Sequence, residues 1–199
     1  VEVVYYTDET IKALKDKDVR KEFIKKFIDE SNIYSEAVKE ALEEYLNDMT
    51  VKDMVEKVIS GVKKNEIEVK TNSFADYISS GYPYYTDPMP NLYFTRDPEH
   101  AWQWHKYSSY EYGSKKARSI AFKIYVYVQQ DFAPEGTNIW YDYDQAYSIE
   151  GGDVLVMSDE IVAIGLSQRT NVEGIEQFAK NILGKSSFRK ILVFDIPEC

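Results

Sequence analysis

The side chains in this sequence whose types and settings could carry chemistry are few. Asp97 stands before Pro98, and Glu150 opens the run Glu150-Gly151-Gly152-Asp153. Arg169 lies within Gly165-Leu166-Ser167-Gln168-Arg169-Thr170-Asn171, and Cys199 is the sole cysteine. A carboxylate can hold a cation or move a proton, a guanidinium can grip an anion, and a thiolate can attack carbon. Taken one at a time, each has an ordinary explanation. Asp97 before a proline is a turn residue, Glu150-Gly151-Gly152 is a hairpin signal, Asp153 after two glycines belongs to a turn, and Arg169 is a surface charge. A single cysteine excludes an internal disulfide and a cysteine-rich zinc site. Two histidines, His100 and His105, argue against a histidine-based metal centre.

The elements that must position these groups fall into two textures. Val1 to Tyr6 reads as a short strand, and Thr7-Asp8 offer a cap for a long helical stretch. Val19, Phe23, Ile24, Phe27 and Ile28 recur at helical spacing, as do Val38, Leu42, Tyr45 and Leu46. A third stripe (Val51, Met54, Val55, Val58, Ile59) follows the capping pair Thr50 and Asp53 and ends at Gly61. These stripes predict a small helical bundle with solvated charged faces. From about residue 65 to 85 the pattern changes, with Gly81, Pro83, Pro88 and Pro90 punctuating short β-prone runs. Ile120 to Val128 is rich in β-branched and aromatic residues. Residues 154–157 and 161–164 flank Ser158-Asp159-Glu160 as a hairpin, residues 172–183 carry a helical pattern ending at Gly184, and 191–194 read as a buried strand. Hairpin, helix and strand together make an α/β unit.

Composition bounds the reading without naming a substrate. The 199 residues are 44% hydrophobic and 29% charged, enough for one domain or a domain with an appendage. Seventeen tyrosines and 15% aromatics argue against disorder. A net charge of −10 and a pI near 4.8 disfavour nonspecific binding to nucleic acid or to an anionic membrane. No apolar run approaches the roughly 20 residues that cross a bilayer. The opening Val1-Glu2-Val3 is neither a signal peptide nor an initiator methionine, so the sequence is expected to begin inside a longer unit. A reducing cytoplasm is the simplest compartment.

Three motifs in the second half carry a family resemblance. They are Pro88-Met89-Pro90-Asn91-Leu92-Tyr93-Phe94-Thr95-Arg96-Asp97-Pro98, Ser148-Ile149-Glu150-Gly151-Gly152-Asp153, and Gly165 to Asn171 as written above. In this order they resemble the arginine deiminases of the pentein superfamily. The phrase Leu46-Asn47-Asp48-Met49-Thr50-Val51-Lys52-Asp53-Met54-Val55 resembles the helical insertion of those enzymes. The likeness covers nearly the whole chain apart from about 99–130. It implies an α/β class, a partial pentein-type propeller of five-fold pseudosymmetry with an inserted helical-bundle domain. The expected parts are a first propeller strand at 1–7, the helical domain at 8–80 and partial propeller at 81–199.

The resemblance also implies a reaction, hydrolysis of L-arginine to citrulline and ammonia without metal or cofactor. A cysteine thiolate attacks the guanidinium carbon while a histidine shuttles protons. Paired carboxylates suit the planar five-donor fork of the substrate. Carried over position by position, Asp97 and Glu150 match the carboxylates that grip the guanidinium. Asn91 matches a substrate contact, Phe94 a pocket wall, and Arg169 a contact to the substrate α-carboxylate. Gly151 and Gly152 would allow close backbone approach to the ligand. Arg169 and the helical insertion favour free arginine over agmatine, the substrate of a related deiminase, which lacks that carboxylate; an amidinotransferase is the other superfamily alternative. The implied partner is L-arginine, with no nucleic acid or membrane, and a homo-oligomer of the family's kind is compatible.

The sequence departs from the family in two places. The family's catalytic histidine follows shortly after the strand that here ends Phe194-Asp195-Ile196-Pro197, and its nucleophilic cysteine lies far beyond. Cys199 matches the approach to the histidine segment and not the nucleophile; His100 and His105 match neither. The expectation is therefore a truncated, inactive fragment with unpaired sheet edges, the alternative being a non-catalytic module that binds guanidino compounds or another protein. The second departure follows Pro98, where the family's Gly-Asn-Gly and a later basic run ending Arg-Glu are replaced. Shifting the possible codons by one nucleotide turns Trp102-Gln103-Trp104-His105 into Gly, Asn or Ser, Gly, Ile or Thr. The same shift permits Lys/Arg, Lys/Arg, Arg, Glu near Lys115 to Arg118. Two readings stand, translation out of frame over about 99–126 and ordinary divergence, and under either Arg118 is assigned no family role. Out-of-frame translation predicts that genomic DNA will show a compensating pair of frame changes around this stretch; one continuous frame, with close homologues across it, would refute it.

Overall fold

The apolar stripes of the first half become helices, each ended by an identifiable local interaction. The computed structural model describes residues 3–69, 74, 81–90, 92, 99–102, 105–108, 138–141 and 145–197. The chain divides into two compact units, one containing Val1–Leu92 and the other containing Tyr93–Lys115 and Gln130–Cys199. In the first unit lie α1 (Tyr6–Ala13), α2 (Lys17–Glu30), α3 (Glu36–Asn47) and α4 (Val51–Ser60). The long helical stretch expected after Asp8 is broken because Asp16 caps α2, its carboxylate accepting from the amides of Asp18 at 2.9 Å and Val19 at 3.2 Å.

The expected stripes face inward. Phe23, Ile24, Phe27 and Ile28 of α2, Val38, Leu42 and Leu46 of α3, and Met54, Val55 and Val58 of α4 share one core with Leu14, Val62 and Met89. Arg20 ties α2 to the end of α3. Its Nη2 donates to the carbonyls of Leu46 at 3.1 Å, Asn47 at 3.0 Å and Met49 at 2.7 Å. The first two are among the carbonyls a helix C-terminus leaves without intrahelical partners, the third lies just beyond α3, and a cation suits that end of the dipole. Glu66 accepts from Lys57 Nζ at 2.7 Å and Tyr45 Oη at 3.1 Å. Burial opposes the charged form of Glu66, but these hydrogen bonds and the Lys57 charge outweigh it and hold its pKa below the ordinary value.

Thr50 caps α4 as expected, accepting from the Asp53 amide at 3.2 Å while its hydroxyl donates to the Asp53 carboxylate at 2.7 Å. Gly61 ends the helix and turns the chain into β1 (Val62–Lys63), which pairs antiparallel with β2 (Tyr84–Thr86). One expectation fails here. Val3 to Tyr5 show no strand, Val3 and Tyr5 are exposed, and α1 already begins at Tyr6. An apolar run makes a strand only where a neighbouring strand takes up its backbone groups, and no such pairing reaches Val3–Tyr5 among the described residues.

Among the described residues the second unit holds two three-stranded sheets. β3 (Glu99–Trp102) pairs antiparallel with β4 (His105–Ser108), which pairs parallel with β5 (Asn138–Tyr141). β6 (Val154–Val156) and β7 (Ile161–Leu166) form the expected hairpin. Helix α5 (Val172–Ile182) then leads to β8 (Lys190–Asp195), which lies parallel beside β7. Val154, Val162 and Ile164 pack under Ile175, Phe178 and Ile182 of α5, with Tyr141 and Ile149 closing the core. The strand expected at 191–194 is present but is not buried. Leu192, Val193 and Phe194 are all exposed: among the described residues β8 is the edge of its sheet and α5 covers one face only. The strand expected at 120–128 lies outside the described residues.

Gly61 has φ +78° and ψ 155°, and a Cβ there would stand 2.6 Å from the Thr86 carbonyl oxygen and 2.8 Å from the Pro88 nitrogen. That backbone conformation is essentially restricted to glycine. Gly61→Ala is therefore expected to destabilise the helical unit by on the order of 1–3 kcal/mol from the backbone conformation alone, with the clash adding to it. A lowered urea midpoint for loss of helical signal would check this, with Ser60→Ala as the control.

Candidate functional site

A hairpin brings distant residues to one end. Val154 at the start of β6 lies opposite Ile164 near the end of β7, so the turn before β6 meets the loop after β7. The parallel neighbour β8 ends there too, with Asp195 beside Leu166. Residues 150 and 169, 19 positions apart, become neighbours by this route. The approach to Glu150 is anchored by Tyr141, whose hydroxyl donates to the Tyr147 carbonyl at 2.7 Å. Burial pushes the Tyr141 pKa up to about 12, so the hydroxyl stays a donor across the physiological range.

Glu150 is buried and is followed by a 3-10 turn, Gly151–Asp153. On the other side, Asn171 caps α5, its side chain accepting from the Gly174 amide at 2.8 Å, while its own amide donates to the Ser148 carbonyl at 3.1 Å. Gly174 is required by that approach, since a Cβ would lie 2.5 Å from the Ser148 oxygen.

Between turn and loop, Asp153 Oδ2 accepts from Ser167 Oγ at 2.7 Å and Thr170 Oγ1 at 2.6 Å. The Thr170 hydroxyl in turn accepts from the Glu150 amide at 2.9 Å. Ser167 Oγ accepts from the amides of Arg169 at 3.1 Å and Thr170 at 3.2 Å. Asp153, expected as a turn residue or as a support behind the ligand contacts, locks the loop to the turn.

The chemistry gathers on this scaffold. Arg169 Nη1 lies 2.6 Å from Glu150 Oε1, with the Glu150 side chain 9% exposed and that of Arg169 63% exposed. Together with Asp153, Leu166, Ser167, Gln168, Asp195, Ile196 and Pro197 they line a cavity of about 590 Å³. Among the described residues that line it, three carboxylates stand against one guanidinium, an acidic wall and a setting for a cation. Of the five residues expected at the site, Glu150 and Arg169 are thus brought together. Asp97, Asn91 and Phe94 lie outside the described residues. Sequence reading passed over Ser167, Thr170 and Asp195. The first two were signalled by the Ser/Thr/Asn cluster after a strand, which marks side chains bonding to nearby backbone; nothing local distinguished Asp195. Among the described residues no group of three His, Cys, Asp or Glu is placed to hold a metal ion, and no helix is long and apolar enough to cross a membrane.

Comparison with known proteins agrees with this motif set. The arginine deiminase family model matches residues 1–199. The chain belongs to the arginine deiminase family. It is 40% identical to an arginine deiminase of Latilactobacillus sakei subsp. sakei (strain 23K), over 100% of this chain and 49% of that protein. Arginine deiminases of Staphylococcus haemolyticus (strain JCSC1435) and Bacillus cereus (strain B4264) are 36% and 35% identical, again over 49% of their lengths. The chain thus spans about half the length of these arginine deiminases. Among solved structures it is similar to a dimethylarginine dimethylaminohydrolase adduct with 4-chloro-2-hydroxymethylpyridine, at TM-score 0.41 and 24% identity over 55% of this chain and 41% of that one. It is also similar to a mutant of the Pseudomonas aeruginosa enzyme complexed with citrulline, at TM-score 0.41 and 20% identity over 71% and 58%.

Thr170 is fully buried and joins Asp153 to the Glu150 amide. Thr170→Val keeps the volume but leaves that amide without its acceptor, which should cost roughly 1–3 kcal/mol. A lowered melting temperature together with faster hydrogen exchange at the Glu150 amide would check this.

Proposed function

We propose that this chain supplies the guanidinium-gripping part of an arginine deiminase, a cytoplasmic enzyme that hydrolyses L-arginine to L-citrulline and ammonia. The observation that carries the reading is the Glu150 carboxylate, buried at the wall of an acidic cavity and already holding a guanidinium at 2.6 Å. Family membership supplies the reaction. In this reading Glu150 and Asp97 orient and polarise the substrate guanidinium, Asn91 and Phe94 contact it and wall the pocket, and Arg169 binds the α-carboxylate. The parent fold is an α/β propeller in which residues 8–80 form a helical insertion and 81–199 form part of the propeller. The shared core of α1 to α4 and the β6–β7–α5–β8 unit support that division.

The chain by itself should not turn over arginine. Two carboxylates can hold the guanidinium, but no residue here matches the thiolate that forms the covalent intermediate or the acid that protonates departing ammonia. Losing groups that act as a unit typically costs on the order of a million-fold in rate. Purified chain incubated with L-arginine is therefore expected to give citrulline at the background rate over roughly pH 5–9. Turnover that disappears in Cys199→Ser would overturn this. Failure of L-arginine to bind in a calorimetric titration would overturn the arginine-site reading itself, since the carboxylate site would then be something else.

A further inference from the structure

We propose that β8 is an interaction surface whose partner is the β8 of a second copy of this chain, paired antiparallel across a two-fold axis into one six-stranded sheet. The proposal goes beyond the arginine-site reading and stands without it. β7 occupies one edge of β8, and among the described residues no strand pairs with the other. The parallel ladder fixes which backbone groups are left over. Lys190 and Ile196 donate their amides toward β7, to the carbonyls of Glu160 at 3.1 Å and Leu166 at 3.0 Å. Alternate residues of a strand turn their backbone groups to the same side, so those of Ile191, Val193 and Asp195 face outward. An edge of this kind is a template for another strand, and natural edges are commonly blunted by charge, proline or a bulge. Between its two end residues β8 has none of these. Leu192, Val193 and Phe194 are 42%, 53% and 55% exposed. Apolar side chains are thus open on both faces, since Val193 shares a face with Ile164 under α5 while Leu192 and Phe194 occupy the other.

The residues of the edge select both the partner and the register. Two copies related by a two-fold axis normal to the sheet keep equivalent faces on the same side, so each residue meets one an even number of positions away. With the axis at Leu192, that residue lies opposite the partner's Leu192, and Ile191 lies opposite the partner's Val193. Ile191 and Val193 carry outward backbone groups, so these pairs exchange hydrogen bonds. The same register brings Arg189, just ahead of β8, opposite the partner's Asp195 at both ends, a favourable cross-strand pair. Moving the axis one residue either way sets a charge against an apolar side chain, Asp195 against Ile191 or Arg189 against Val193. Pairing of this kind is isologous and closes at two copies. An open-ended array would have to use β6 as the second edge, and β6 is three residues long against six in β8.

Sedimentation equilibrium of the full chain, with and without Leu192→Lys, tests the surface. The unaltered chain should form a dimer. Leu192→Lys sets like charges directly opposite each other and should raise the dissociation constant by on the order of tenfold or more. Circular dichroism matching the unaltered chain confirms that the variant is folded. Single cysteines in a Cys199→Ser background test the register without charging the edge. Leu192→Cys places two thiols in a non-hydrogen-bonded pair, whose Cα atoms lie within disulfide range, and should give a cross-linked dimer on mild oxidation. Val193→Cys lies diagonal to its counterpart and should not cross-link. Four outcomes would each overturn the proposal: a monomer at every concentration, assemblies larger than two, a dimer indifferent to Leu192→Lys, or cross-linking through Val193→Cys in place of Leu192→Cys.

Discussion

The site depends on one carboxylate that touches no ligand in the proposed reading. Asp153 sits where the turn before β6 meets the loop after β7, and its Oδ2 takes hydroxyl donors from both Ser167 and Thr170. The hairpin alone would bring these segments near each other, but a β-ladder ends at its last paired residue and says little about the chain beyond it. The hydroxyl bridges carry order past the end of the ladder. Through Thr170 the order reaches the Glu150 amide, and through Ser167 it reaches the Arg169 amide. Side chains of opposite charge are thereby held at 2.6 Å by contacts made to their backbones.

The two units satisfy the same requirements by different means. In the helical unit the ends are closed locally, by Asp16, Thr50 and Gly61, and across helices by Arg20 on the last carbonyls of α3. Helical stripes then need only meet to form a core, and they do. In the second unit the elements are defined by pairing between strands far apart in sequence, and α5 covers a single face. The exposed Leu192, Val193 and Phe194 follow from that arrangement. Their apolar character, read from sequence, implies burial; their accessibility reflects what packs against β8.

Guanidinium chemistry enters this chain from within as well as from a proposed ligand. Arg20 closes a helix with one guanidinium nitrogen shared among three carbonyls, a structural use of a rigid fork. Arg169 offers the same group to a buried carboxylate. The difference lies in exposure and partner, since backbone carbonyls ending a helix have no other claimant, whereas Glu150 faces a cavity.

Local features were legible in the sequence by itself wherever one segment determines its own form. The stripes of α2 to α4, the Thr50 cap, the stop at Gly61, the hairpin around residues 158–160 and the span of α5 depend on periodicity and on residues a few positions apart. The motifs likewise sufficed to mark Glu150 and Arg169 and to point to the family. Tertiary structure decided what depends on distant neighbours. It denied strand form to Val3–Tyr5, left β8 exposed, brought Ser167 and Asp195 to the cavity and buried Thr170 behind it. It also paired Glu150 with Arg169 across 19 positions, which neither residue type nor spacing encodes. The physical reason is the same in each case: hydrogen-bond partners and solvent exclusion are properties of the packed chain, and only the shortest-range of them can be read along its length.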